Sequence, residues 1–180
     1  MTAEVDSPSW ATDVFRVLKN QEIRQVATVP DGGLSRILTL CEQDPETSVV
    51  TLTTEEEGVA LLCGSWLGGR RAVLMMQSSG VGNCINMLSL PLNCRIPCLM
   101  FVTMRGEWGE FNPWQVPMGQ ATPAVLERMG AHVHRPRSAD EIAPTLAAAS
   151  HQVFNTGASA AVLVGQHIVG SKSFVSQEAP

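Results

Sequence analysis

Several large functional classes are excluded by what this sequence does not contain. No run of about 18 apolar residues occurs, so no transmembrane helix is expected. Met1 to Ser9 carries acids and no basic segment followed by an apolar one, so no signal peptide is expected there. Basic residues are in the minority: 12 Lys and Arg face 17 Asp and Glu, for a net charge of −5. A general nucleic-acid binder would instead show a basic face. There is no Gly-Lys-Ser/Thr P-loop, no Rossmann Gly-x-Gly-x-x-Gly and no Gly-x-Ser-x-Gly nucleophile elbow. The five cysteines are odd in number and lie in apolar segments, which predicts buried free thiols in a reducing cytoplasm. Cys94 and Cys98 resemble half a zinc site, but no second pair with ligand spacing follows. Neither an internal repeat nor a low-complexity block is visible.

The chain does contain alternating helical and strand-like segments. With 180 residues, 44% hydrophobic and 16% charged, it suits one globular domain. A helix is predicted over 10–20, with Val14, Phe15, Val17 and Leu18 at helical spacing, then a strand over 23–29 ending at Pro30. Asp31 is placed to cap a second helix running through Leu34, Ile37 and Leu40. A strand over 48–52 and a helix over 55–67, closed by Gly68 and Gly69, come next. The run 72–77 has almost no polar interruption, as in strands covered on both faces. A Gly/Ser turn, a helix through Ile85, Leu88 and Leu92, and a strand over 96–104 follow. The stretch 106–118 reads as irregular, and 124–129 as helix, 131–135 as strand, 139–154 as helix and 158–165 as strand. This pattern predicts an α/β fold: a three-layer, mostly parallel sheet with helices on both faces. Residues 1–170 form the expected domain and 171–180 a flexible tail. Ligands should sit at the carboxyl ends of the strands, just after Val29, Leu52, Gln77 and Met104.

Three segments fall at those ends. Thr53-Thr54-Glu55-Glu56-Glu57 follows a strand and opens a helix. Acids there favour the helix dipole, and one of them is a candidate inward-facing carboxylate. Positions 55, 59 and 62 share a face, and Val59 and Leu62 are apolar, which turns Glu55 inward. In Gln77-Ser78-Ser79-Gly80-Val81-Gly82-Asn83, with Asn86 a turn later, glycines after a strand allow close backbone approach to a ligand. They also suit an ordinary tight turn. The third segment runs from Arg105-Gly106-Glu107-Trp108-Gly109-Glu110 to Asn112-Pro113-Trp114-Gln115. Arg105 is placed to hold an anionic group; the plainer reading is a surface loop with an internal ion pair. Its tryptophans suggest packing against a partner or ligand. His132 and His134 share a strand face, where an ordinary histidine pair is the simpler reading than a metal site.

In order and spacing, these segments resemble the alpha subunit of sulfopyruvate decarboxylase and the N-terminal domain of phosphonopyruvate decarboxylase, both thiamine-diphosphate enzymes. The resemblance runs from about Val14 to Gly165. It is carried by Glu55-Glu56-Glu57-Gly58-Val59-Ala60 through Gly64, by 77–83, by Arg105-Gly106-Glu107, by Gln115-Val116-Pro117-Met118-Gly119 and by Val29-Pro30-Asp31. It implies the pyrimidine-binding domain of that fold. It also selects Glu55, nine residues before the helix glycine Gly64, as the catalytic glutamate. In such enzymes this carboxylate hydrogen-bonds N1′ of the aminopyrimidine and favours the imino tautomer, whose 4′-nitrogen deprotonates thiazolium C2. The carbanion then attacks a 2-oxo acid, CO2 leaves and an aldehyde is released. By the same resemblance Gln77, Ser78, Ser79, Gly80, Gly82 and Asn83 bind the cofactor, and Pro30, Asp31 and Arg105 bind the substrate. The family's Gly-Asp-Gly segment for Mg²⁺ and diphosphate is not found here; Asp31-Gly32-Gly33 has the wrong order. The resemblance therefore implies that Mg²⁺ is held by a partner beta subunit carrying Gly-Asp-Gly, in a hetero-oligomer. Two alternatives stay open at this point: a non-catalytic ligand-binding or regulatory module of the same fold, which need not keep Glu55, and a carboligase sharing the carbanion.

Overall fold

The computed structural model describes residues 9–170. The predicted tail at 171–180 lies outside them. Helix α1 (Ser9–Asn20) places Trp10, Val14 and Leu18 on one buried stripe. It is followed by β1 (Ile23–Thr28), α2 (Ser35–Gln43), β2 (Ser48–Thr51), α3 (Glu55–Leu67) and β3 (Arg71–Gln77). Then come α4 (Ser78–Cys84), α5 (Ser89–Cys94), β4 (Cys98–Thr103), α6 (Val116–Arg128), β5 (Ala131–His134), α7 (Ala139–Thr156), β6 (Ser159–Val164) and α8 (Gln166–Val169). All pairings are parallel, in the order β2-β1-β3-β4-β6-β5. The expected α/β architecture is thus present. β4 and β6 are buried at every residue, because helices cover both faces of the sheet.

Two apolar layers sandwich the sheet. On one face Trp10, Val14, Ile37, Ile142, Leu146 and Val153 pack against Val26, Met75, Leu99 and Phe101. On the other, Val59, Leu62, Val81, Leu88 and Leu126 pack against Leu74, Met76, Met100 and Val102. Gly58 brings α3 close to the sheet: a Cβ there would overlap Leu74 and stand 2.9 Å from Leu52 Cδ1. Strand order reverses at β1, with β2 on one side and β3 on the other. This is the switch point where an open α/β sheet forms a crevice.

Four local readings are corrected. Asp31 does not cap α2, which begins at Ser35; its Oδ2 instead accepts from Gly33 N at 3.0 Å, closing a turn over the two glycines. The Gly/Ser segment after β3 is not a turn but α4 itself, since Ser78, Gly80, Val81 and Cys84 are buried and packing overrides weak helix propensity. The helix predicted through Ile85, Leu88 and Leu92 is interrupted, resuming as α5 at Ser89. Helix α6 begins at Val116, inside the stretch read as irregular, because Pro117 falls in its first turn where a missing N–H costs nothing. The cysteines are free, and Cys41, Cys63, Cys84 and Cys98 are buried as expected, but Cys94 is exposed on α5.

Candidate active site

Residues from three strand ends converge beside the switch point. Asp31, after β1, accepts from Gln77 Nε2 at 2.9 Å through Oδ1 and from Thr103 Oγ1 at 3.1 Å through Oδ2. Ser79 Oγ donates to Gln77 Oε1 at 2.8 Å. This ties the ends of β1, β3 and β4 into one polar cluster. Pro30 lies exposed beside it.

Glu55 starts α3 and is 8% exposed, whereas Glu56 and Glu57 are exposed. The helical face that runs through Val59 and Leu62 carries Glu55 inward, and its neighbours rotate to solvent. Asn83 Nδ2 donates to Glu55 Oε2 at 2.8 Å. A Cβ at Gly80 would overlap Glu55 Cγ, Cδ and Oε1, so the carboxylate lies flat against bare α4 backbone. Gly82 turns the other way, towards Met118, whose Sδ would be 3.2 Å from a Cβ there. Beneath them Cys84 is held as a thiol, its pKa pushed up to about 12 by burial and then by the charges of Glu55 and Glu56. Ser78 is fully buried. Its Oγ accepts from Arg105 N at 3.0 Å and its carbonyl from Thr122 Oγ1 at 3.3 Å.

Arg105 is not a free cation. Its Nε and Nη2 donate to Glu110 Oε2 and Oε1 at 2.7 and 2.6 Å, a two-pronged pair with side chains only 12% and 4% exposed. Its guanidinium also lies 5.4 Å from the centre of the Phe111 ring. Glu110 accepts further from Gly106 N, Asn112 N and Gln166 Nε2, each at 3.0 Å. These donors, Arg105 foremost, lower its pKa to about 2, and the Glu110 carboxylate in turn raises that of Arg105. The internal ion pair is therefore present, and it is buried rather than superficial. Sequence reasoning missed Thr103, Glu110 and Gln166 as parts of this centre. Glu110 had a signal, five residues after Arg105 in the same loop; Gln166 had none, because only strand order brings the end of β6 beside β4. Trp108, Phe111 and Trp114 are exposed around the loop.

His134 Nε2 lies 3.2 Å from Gln152 Oε1, and His132 is exposed. Among the described residues no group of three or more His, Cys, Asp or Glu is placed to hold a metal. No helix among them is long and apolar enough to cross a membrane.

No family model matches the chain. The sulfopyruvate decarboxylase subunit alpha of Methanococcus maripaludis is 33% identical over 152 residues, which cover 84% of this chain and 91% of that protein. The chain belongs to the sulfopyruvate decarboxylase alpha-subunit family. A wider relationship accompanies it: phosphonopyruvate decarboxylase of Streptomyces viridochromogenes is 35% identical over 119 residues, 65% of this chain and 30% of that protein. In fold, this alpha-family chain is similar to an X-ray structure of a Mycobacterium smegmatis protein assigned as a thiamin diphosphate-dependent enzyme. The TM-score is 0.68 at 13% identity, over 87% of this chain and 30% of that one. The resemblance first carried by the motifs thus extends over most of an alpha subunit and to the fold.

Proposed function

We propose that this chain is the pyrimidine-binding alpha subunit of a two-subunit, thiamine-diphosphate-dependent decarboxylase. It turns a small anionic 2-oxo acid of the sulfopyruvate or phosphonopyruvate type into an aldehyde and CO2. The observation that carries this reading is Glu55, the one glutamate of three that is buried, laid against the Gly80 backbone at a strand's carboxyl end. A non-catalytic copy of the fold would have no reason to bury a carboxylate there, since burial disfavours the charge.

The residues present fit one half of the cofactor. Glu55 Oε2 is anchored by Asn83, and Oε1 has no hydrogen bond among the described residues, which suits an acceptor for a proton at the pyrimidine N1′. Gly80 keeps that approach open. Gln77, Ser78, Ser79, Gly82 and Asn83 would complete this chain's contribution to cofactor binding. Bound there, thiamine diphosphate would supply the electron sink for loss of CO2. The diphosphate and Mg²⁺ find no matching donor set among the described residues, so we assign them to a partner beta subunit with a Gly-Asp-Gly segment. The exposed Trp108, Phe111 and Trp114 suit a surface that such a partner covers. At the other end Arg105, with Pro30 and the backbone around Asp31, would receive the second anionic group of the substrate. The compartment consistent with five free cysteines is the cytoplasm.

The test is reconstitution. Purified chain with cofactor and Mg²⁺ should release no CO2 from sulfopyruvate or phosphonopyruvate, and mixing with the Gly-Asp-Gly partner should restore release. Turnover by the lone chain would refute the division of the site between two subunits.

A further inference from the structure

Gln166 is 1% exposed and sits where β6 ends and α8 begins. The β4–β6 register, with Thr103 beside Val164 and Met104 N donating to Val164 O at 2.9 Å, sets it against the start of the 105–112 loop. Both the oxygen and the nitrogen of its side-chain amide are engaged by that loop. Oε1 accepts from Glu107 N at 3.0 Å and Trp108 N at 3.1 Å, while Nε2 donates to Glu110 Oε2 at 3.0 Å. Its own backbone N donates to Glu107 Oε2 at 3.3 Å. The amide must accept on one side and donate on the other, which a carboxylate or an aliphatic chain of the same shape cannot do. Glu110, held in this way, grips Arg105 through both prongs of its fork.

We infer that Gln166 is a positioning residue for Arg105: by fixing Glu110 and the 107–108 backbone, it sets where the guanidinium stands for the anionic end of the substrate. Gln166 acts on substrate affinity and not on Glu55, which lies on α3 and is tied to α4. The inference rests on the reading of Arg105 as the substrate's anchor, and the experiment separates the two.

In the reconstituted complex, Gln166→Leu removes the bonds at constant bulk, and Gln166→Glu sets a second carboxylate against Glu110. KM for sulfopyruvate, kcat and the exchange rate of the cofactor C2 proton are measured for both, for Arg105→Ala and for Arg105→Ala with Gln166→Leu. Each Gln166 variant should raise KM by about tenfold, with C2 exchange within about twofold of the parent. Exchange near the parent rate also shows that the variant folds and assembles. Because Gln166 acts through Arg105, adding Gln166→Leu to Arg105→Ala should raise KM no further. If Arg105→Ala raises KM and Gln166→Leu does not, or if the two effects multiply, the positioning role is overturned while Arg105 keeps its own. If Arg105→Ala leaves KM unchanged, the anchor reading fails and this inference falls with it. Loss of C2 exchange in both Gln166 variants would also overturn it, since their effect would then not be confined to the substrate end.

Discussion

Gly80→Ala is the sharpest probe of the arrangement around Glu55. Gly80 has no positive φ, so alanine suits its backbone, and in a helix interior that exchange alone would stabilise by up to about 1 kcal/mol. The added methyl, however, would overlap Glu55 Cγ, Cδ and Oε1. The colliding group is the flexible end of a side chain, so the fold accommodates it by moving the carboxylate. Restoring ordinary contact takes a displacement of about 1 Å, a shift that costs on the order of 10²-fold when a reacting group is misplaced. The two effects separate stability from chemistry. Melting of the chain should change little, while C2 proton exchange in the reconstituted complex should fall by about two orders of magnitude. Gly64→Ala is the matched control, since it lies on α3 and its methyl would meet nothing within 4 Å. It should leave exchange intact. Parent-like exchange in Gly80→Ala would show that the position of Glu55 against α4 does not matter to the reaction.

Glu55→Gln should abolish C2 exchange by orders of magnitude, whereas Glu56→Gln and Glu57→Gln, both exposed, should cost only about 0.3–1 kcal/mol each in thermal melts. An inactive Glu56→Gln would refute the choice among the three. Arg105→Lys keeps the charge but loses the fork held by Glu110, so KM for a dianionic substrate should rise by about tenfold; an unchanged KM would remove Arg105 from the substrate's path. Glu110 has its pKa depressed from 4.5 to about 2, so its contribution to stability is complete above the ordinary carboxylate range and is lost as pH falls towards 2. The Gly106 and Asn112 amides, which donate to it, should report this in an NMR titration with a midpoint well below 4.5; a midpoint at the ordinary value would refute the strength of the pair. Ser78→Ala should cost about 1–3 kcal/mol by leaving the Arg105 N–H without its buried acceptor, measurable by chemical denaturation.

The parallel sheet was legible because its central strands are uninterrupted apolar runs. Chain segments such as Cys98–Thr103 and Ser159–Val164, buried on both faces, leave no other reading when helical segments separate them. The helix directly after β3 was not legible, and the one after the tryptophan loop was legible only in its second half, over 124–129, for a different reason in each. In 78–84 two glycines and two serines speak against a helix, and it is burial of Ser78, Val81 and Cys84 against α3 and α6 that fixes it. In 116–128 two prolines speak against a helix, yet Pro117 occupies the first turn, and Thr122 Oγ1, donating to Met118 O at 2.7 Å, fastens the helix before Pro123. Local propensity is weak where a segment is clamped between other elements.

The site divides along the same line. Glu55 was legible because a helix's period carries its inward face one turn at a time, and Val59 and Leu62 mark that face. The loop that follows β4 was legible only as far as Arg105 and an internal ion pair. What fixes Arg105 is Glu110, whose five donors come from residues 105, 106, 112 and 166, and the last of these stands 56 positions along the chain. No periodicity spans such a network; it exists because β6 lies beside β4. The two ends are nonetheless joined. Ser78 begins the helix that carries Gly80 and Asn83 to Glu55, and its hydroxyl accepts the backbone N–H of Arg105. A serine in this position does structural work for both ends before any ligand arrives. The short motif 77–83 thus acts twice: its glycine and asparagine shape the carboxylate's surroundings, and its first serine holds the backbone of the arginine to the same helix.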